Sequence, residues 1–119
     1  MAGKLIGLMF LSRDVAHREH LKTTSYAQHM ALGSFYDDII GLADKLAETY
    51  QGRNGVIKDI PRMNDVAKGD IVTVLEQHLK TIEKNRCIDI PDKDTALQNI
   101  IDEIVGLYLT TLYKLRTLK

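Results

Sequence analysis

Residues 52–69 read GRNGVIKDIPRMNDVAKG, and this stretch decides how the rest of the chain can fold. It has little periodicity of its own and contains glycine, proline and asparagine, which interrupt helices. Eighteen extended residues at about 3.3 Å each reach roughly 60 Å, whereas the helical segment before them is only about 39 Å long. The segments on either side can therefore lie parallel, joined by a crossover as in some four-helix bundles.

Apolar residues at three- and four-residue spacing predict four helices and no strand. Gly3 and Gly7 weaken the start of the first helix, so a start as late as Ser12 is the alternative. With 119 residues we expect one all-α domain, residues 1–119, built as a four-helix bundle with a long crossover between the second and third helices. The predicted helices cover about residues 4–22, 26–51, 70–86 and 92–118.

Caps and apolar stripes support these helices. Ser25 and Gln28 form a capping-box pattern before the second helix, Gly52 is predicted to stop it, and Asp92 is the predicted N-cap of the fourth helix. The fourth helix is apolar beyond one stripe, so we expect it to be central or to serve an oligomer contact. The predicted core stripes are Leu5, Leu8, Met9, Ser12 and Ala16; Leu32, Phe35, Ile39, Leu42 and Leu46; Val72, Leu75, Leu79 and Ile82; and Leu97, Ile101, Ile104, Tyr108, Thr111, Leu115 and Leu118.

Charge and cysteine content narrow the function classes. Sixteen basic and sixteen acidic residues give no net charge, and no basic run is present. A strongly basic nucleic-acid binder or an anionic-membrane binder is therefore not indicated. Cys87 is the single cysteine, which excludes an internal disulfide and favours a reduced, cytoplasmic compartment. The apolar run at residues 5–11 is too short to span a membrane and lacks a following cleavage site.

Three of the four histidines fall within a dozen or so residues. His17 and His20 are neighbours on one helix surface, and His29 follows just after the turn. In an antiparallel hairpin His20 and His29 lie near the same end and can converge. Asp44 and Glu48 share a helix face with His29, but Asp44 is fifteen residues away, about 22 Å along the helix. One chain therefore cannot join these groups around one ion.

A second copy of the chain can complete such a site. If the second helix packs antiparallel against its own copy, the two-fold axis falls near Asp37 and Asp38. Two copies of Asp37 would repel there unless a cation or proton bridges them. The predicted metal ligands are His20 and His29 of one subunit with Asp44 and Glu48 of its mate, and His17 and Asp37 as outer or alternative ligands. The alternative is that the carboxylates simply cover a solvated helix face, as the adjacent Lys45 suggests.

The pattern His29, Phe35, Asp44, Glu48 resembles the dimer interface of Dps-type ferritins, and AHREHL at residues 16–21 resembles the paired histidines late in their first helix. His20 matches if the turn is about three residues shorter here, and His17 matches with no gap. The resemblance covers roughly residues 14–52. It implies a ferritin-like bundle and an intersubunit site that binds iron and oxidises it with peroxide or oxygen inside a spherical shell.

Gly33 departs from that pattern, because it stands where those proteins usually carry a further carboxylate. Losing a hard oxygen donor weakens an iron site, so any ferroxidase activity is expected to be weak. The segment at residues 20–55 also resembles a group of small uncharacterised bacteriophage proteins, which implies the host cytoplasm as the location.

Two functions are therefore carried forward. The leading hypothesis is a homo-oligomeric ferritin- or Dps-like protein that binds iron or another divalent metal. The alternative is a non-enzymatic helical bundle that has lost metal chemistry and contacts a host or virion protein.

Overall fold

A computed structural model describes residues 1–64 and 69–119 and shows an all-helical bundle of about 44 × 24 × 22 Å. No strand occurs in these two ranges. The predicted fold class is confirmed. The helices are α1 (Ala2–Lys22), α2 (Tyr26–Asn54), α3 (Ile71–Asp89) and α4 (Thr95–Thr117).

The helices run up, down, down and up. α1 packs on α2 and α3, and α4 packs on the same two helices, so that α2 and α3 lie on a diagonal. The Met1 amino group pairs with Asp89, which brings the start of α1 to the end of α3. Arg53 pairs with Asp94 at 2.8 Å, which brings the end of α2 to the start of α4. α2 and α3 are therefore parallel, as the length of the connection predicted, although residues 65–68 of that connection lie outside the described part.

Local caps fix the helix ends, with three departures from prediction. The Ser25 hydroxyl accepts from the Gln28 N–H at 3.2 Å, but the Ser25 N–H donates to the Thr23 hydroxyl rather than to Gln28. α2 continues past Gly52 and ends at Asn54, and the next residue, Gly55, is its C-cap with a φ of 87° that suits glycine. Asp94, not Asp92, caps α4, because its carboxylate accepts from the Leu97 N–H at 3.3 Å.

The predicted stripes form the core. Phe35 and Tyr108 are fully buried and meet edge to face, with ring centroids 5.0 Å apart. Each large apolar side chain buried in this way contributes about 1.5–3 kcal/mol. Leu42 and Val72 are only half-buried, and Leu118 is exposed just beyond the end of α4. The core prediction is otherwise confirmed.

α1 begins at Ala2 rather than at Ser12, and its glycines have a packing role. A Cβ on Gly7 would lie 2.5 Å from the Pro61 carbonyl oxygen, and one on Gly3 would collide with the Asp59 carbonyl oxygen. The backbone of the crossover therefore lies directly against one face of α1. The glycines that weaken the helix in isolation make room for this contact.

The additional apolar residues of α4 serve mainly the core. Ile100 and Leu112 are buried, whereas Leu109 is 51% exposed. Across the described ranges, no helix combines the length and the hydropathy that a membrane span requires.

Candidate metal centre

The three histidines of the first two helices lie along the α1–α2 seam. His17 and His20 come from the last turns of α1, and His29 comes from the first turn of α2. The short turn between the helices makes them antiparallel and places all three at one end of the hairpin. Each ring is half-buried, so it is held by protein on one side and accessible to solvent on the other.

His20 and His29 are tied together by reciprocal hydrogen bonds. His20 Nδ1 lies 2.6 Å from the His29 carbonyl oxygen, and His29 Nδ1 lies 2.8 Å from the His20 carbonyl oxygen. A carbonyl oxygen can only accept, so both Nδ1 atoms must carry a proton and donate. In each neutral ring the lone pair is then on Nε2. This is the tautomer in which histidines commonly bind metals, with the second ring nitrogen donating to a carbonyl.

The rings pack in two stacks. The His20 and His29 centroids are 3.7 Å apart with planes 16° from parallel, and those of His17 and Tyr36 are 4.1 Å apart with planes 10° from parallel. Tyr36 also meets His20 edge-on at 5.2 Å. Because the His20 and His29 planes are nearly parallel, one ion lying in both planes requires a ring to turn out of the stack. Each ring by itself can bind an ion as it stands.

Tyr36 also contacts a cation. The Arg13 guanidinium carbon lies 5.8 Å from the ring centroid, within the range of a cation–π contact. Arg13 Nε is buried without a hydrogen-bond partner. The neighbours of Tyr36 at this seam are therefore His17, His20 and Arg13. Arg13 precedes His17 by four residues, so helical spacing was the signal that could have found it.

Gly33 lies under the His20 ring. A Cβ at this position would be 3.1 Å from His20 Cε1 and 3.3 Å from His20 Nδ1. The missing side chain therefore leaves the space that the imidazole occupies. This contact explains the glycine physically, and the one-turn spacing from His29 was the signal available in the sequence.

The predicted carboxylate ligands lie elsewhere on the chain. Asp37, Asp44 and Glu48 are exposed on α2. Asp44 and Glu48 lie fifteen and nineteen residues after His29, whereas Asp37 directly follows Tyr36. Lys45 pairs with Glu103 of α4 at 3.7 Å rather than with its neighbours on α2. Within the described ranges, no hydrogen bond or ion pair engages these three carboxylates. The structure thus brings the histidines together and leaves the carboxylates on an open helix face.

Consequently, no group of three or more histidine, cysteine, aspartate or glutamate side chains in the described part of one chain could hold a metal ion. The seam supplies imidazole nitrogens, and carboxylate oxygens would have to come from another molecule.

His78 and Cys87 lie outside the α1–α2 seam. His78 is buried and lies 2.7 Å from the Ser12 hydroxyl, which itself accepts from Tyr108. Its position in the core agrees with a structural role. Cys87 is exposed, and a hydrogen bond to the Asp92 carboxylate raises the pKa of its thiol and so disfavours the nucleophilic thiolate.

Comparison with known proteins gives one family. The profile of a family of unknown function, DUF5856, matches residues 20–115. No curated protein and no solved structure matches the chain.

Proposed function

The chain belongs to the DUF5856 family, and from the paired imidazoles of its α1–α2 seam we propose that it is a divalent-metal-binding protein whose site is completed by a second copy. The observation that carries this proposal is the reciprocal bonding of His20 and His29, in which both Nδ1 atoms donate to backbone carbonyls. That arrangement orients each ring and leaves a lone pair on each Nε2. One ring binds an ion as it stands, and the other joins the same ion by turning out of the stack.

The second copy supplies the oxygen donors. If α2 packs antiparallel on its mate around an axis near Asp37, then Asp44 and Glu48 of one subunit approach His20 and His29 of the other. The exposure of these carboxylates and their lack of partners in the described ranges support this step, because an ion would compensate for bringing two acidic faces together.

Iron or another divalent ion fits this mixed nitrogen and oxygen set. A redox-active ion bound there would supply the chemistry of a weak ferroxidase, while the chain's own residues would set coordination and access. The resemblance to Dps-type ferritins supports iron as one candidate. His17 stacks on Tyr36 and is the alternative nitrogen donor.

The test uses variants that separate hydrogen bonding from metal binding. An asparagine side-chain amide can donate from nearly the position of histidine Nδ1 but offers no counterpart of Nε2. His29→Asn should therefore keep the bond to the His20 carbonyl and lose the ligand atom. Untagged full-length protein is incubated with Zn²⁺ or with Fe²⁺, and bound metal is measured by elemental analysis and native mass spectrometry.

We expect a stoichiometric ion in the dimer or a larger species of the wild type, little or none in His29→Asn or Glu48→Gln, and wild-type binding in Glu83→Gln. Glu83 is an exposed carboxylate on α3 and serves as the matched control. A metal-free oligomer under all conditions, or full binding by a folded His29→Asn, would contradict the proposal.

A second candidate is an interaction protein that contacts a host or virion protein. The observation in its favour is that Leu109 and Tyr113, one turn apart on α4, are 51% and 55% exposed. Under this function, Tyr113→Glu would abolish binding of the chain to its partner protein, whereas His29→Asn would leave that binding intact.

A further inference from the structure

Gly33 lies directly beside a histidine ring of the α1–α2 seam. It lies four residues after His29 on α2, and the space above it is occupied by the imidazole of His20. The 3.1 Å separation between a Cβ at this position and His20 Cε1 is tighter than ordinary van der Waals contact. Protein interiors are packed closely enough that even one added methyl group is felt. A side chain at residue 33 would therefore push the His20 ring away by a few tenths of an ångström.

Two contacts hold the His20 ring in this position. His20 Nδ1 donates to the His29 carbonyl, and the ring face rests on His29 at 3.7 Å. His17 is the next ring along, with its centroid 6.2 Å from that of His20. The local donors at this end of the hairpin are thus imidazole nitrogens, whereas the exposed carboxylates of α2 lie farther along the helix.

We infer that Gly33 is a specificity-determining residue: by giving room to the His20 ring it keeps an imidazole in the mixed site, so that the site prefers ions that favour imidazole ligands, such as Zn²⁺ and Ni²⁺, over Mg²⁺ and Mn²⁺. Imidazole ligands suit the first class, and carboxylate, carbonyl and water ligands suit the second. This inference rests on the proposed metal-binding function and adds the class of ion and the residue that sets it. Gly33 acts through His20 and is not itself a ligand.

The experiment compares two glycine-to-alanine changes in full-length, metal-free protein. Gly33→Ala adds a Cβ against His20, whereas Gly106→Ala adds one on α4 where nothing lies within 4 Å. Binding of Zn²⁺, Ni²⁺, Mn²⁺ and Mg²⁺ is measured by calorimetry or by competition with a chelating dye. In ¹⁵N-labelled protein, the imidazole nitrogen shifts report which ring atom binds Zn²⁺.

We expect the wild type to bind Zn²⁺ and Ni²⁺ at least about a hundredfold more tightly than Mn²⁺ or Mg²⁺. Gly33→Ala should weaken Zn²⁺ and Ni²⁺ binding by about ten- to a hundredfold, the usual effect of disturbing a group that orients a ligand. Its Mn²⁺ affinity should change by no more than about twofold, because Mn²⁺ depends less on imidazole ligands. Gly106→Ala should match the wild type throughout. In the NMR spectra, Zn²⁺ should shift the Nε2 resonances while the Nδ1 protons persist.

The two proposals fail in different ways. If no ion binds the wild type, the proposed function fails. If ions bind but Mn²⁺ competes equally with Zn²⁺, or if Gly33→Ala retains full Zn²⁺ selectivity, the function stands and the role of Gly33 is overturned. Should Gly33→Ala fail to fold, His20→Asn replaces it. This variant keeps a donor for the His29 carbonyl and removes Nε2. Adding Gly33→Ala to it should change Zn²⁺ binding no further, because Gly33 acts only through the His20 ring, and a further change would overturn the role of Gly33.

Discussion

Ser12, His78 and Tyr108 meet inside the bundle and join three helices through polar contacts. The Tyr108 hydroxyl donates to Ser12 Oγ at 2.6 Å, and Ser12 Oγ lies 2.7 Å from His78 Nδ1. All three residues are buried. Leaving a buried polar group without its hydrogen-bond partner costs about 1–3 kcal/mol. Each of these three side chains therefore offsets the cost of burying its neighbour in the apolar core. Burial also raises the pKa of Tyr108 above its ordinary value of about 10.

That raised pKa predicts instability in alkali. Above pH ~10 the tyrosine of the unfolded chain releases its proton while buried Tyr108 retains it, so unfolding becomes more favourable as the pH rises. The wild type should lose about 1.4 kcal/mol of unfolding free energy per pH unit relative to Tyr108→Phe in this range. Urea unfolding at several pH values from about 9 to about 11, on either side of the ordinary tyrosine pKa of about 10, measures the difference in slope. Tyr113→Phe, which alters an exposed hydroxyl, should keep the wild-type slope, and an equal slope in Tyr108→Phe would refute the assignment.

Helical spacing could predict that Ser12 and Tyr108 face the core, but it could not pair them. The two residues are 96 positions apart in the chain, and Ser12 and His78 are 66 apart. Their contact depends on which helices lie next to each other. The pairing therefore becomes visible only once the topology is known.

At the scale of the element, α1 illustrates how tertiary contact overrides helix propensity. Its two early glycines predict a weak or late start, yet the helix begins at Ala2. Gly3 and Gly7 lie one turn apart on the face that carries the Asp59 and Pro61 carbonyls of the crossover. The close approach of two backbones stabilises the helix in a way that propensity scales do not include.

Gly7→Ala should therefore destabilise the protein, although alanine is the better helix former by about 1 kcal/mol. The added Cβ would force the Pro61 carbonyl away, and overpacking of this kind costs typically about 1–3 kcal/mol. We expect a net loss of unfolding free energy in urea and faster tryptic cleavage at Lys58 or Arg62. Gly106→Ala, with open space around its Cβ, should instead be neutral or stabilising, and the same result for Gly7→Ala would show that the crossover does not rest on α1.

Part of the candidate site was also predictable from the sequence. Sequence spacing correctly placed His20 and His29 at one end of an antiparallel hairpin, because only the turn and the helical repeat were needed. It missed the reciprocal carbonyl bonds and the reason for Gly33, since both depend on ring rotamers and on the exact separation of α1 and α2. The relation of these histidines to Asp44 and Glu48 stays a prediction, because it involves a second chain.

At the scale of the whole molecule, a neutral chain presents one acidic helix face. Basic and acidic residues balance at sixteen each, but the exposed surface of α2 carries Asp37, Asp38, Asp44 and Glu48, and nearby Lys45 pairs with Glu103 of α4. Two such faces repel in the antiparallel arrangement that we propose. Association through α2 must therefore respond to salt and to cations, whereas association through the apolar residues of α4 need not.

This contrast gives a prediction for the metal-free protein. Raising NaCl from about 20 to 500 mM shortens the screening length from about 20 to 4 Å, and the dimer should tighten several-fold. Asp37→Asn combined with Asp38→Asn should tighten it at low salt and flatten the salt dependence, while Glu83→Gln on α3 should do neither. Sedimentation equilibrium measures the dissociation constants. The contrary outcome is a dissociation constant that does not change with salt or with the α2 substitutions but rises sharply in Leu109→Glu. That result would place the interface on α4, and the second copy's carboxylates could then not reach the metal site.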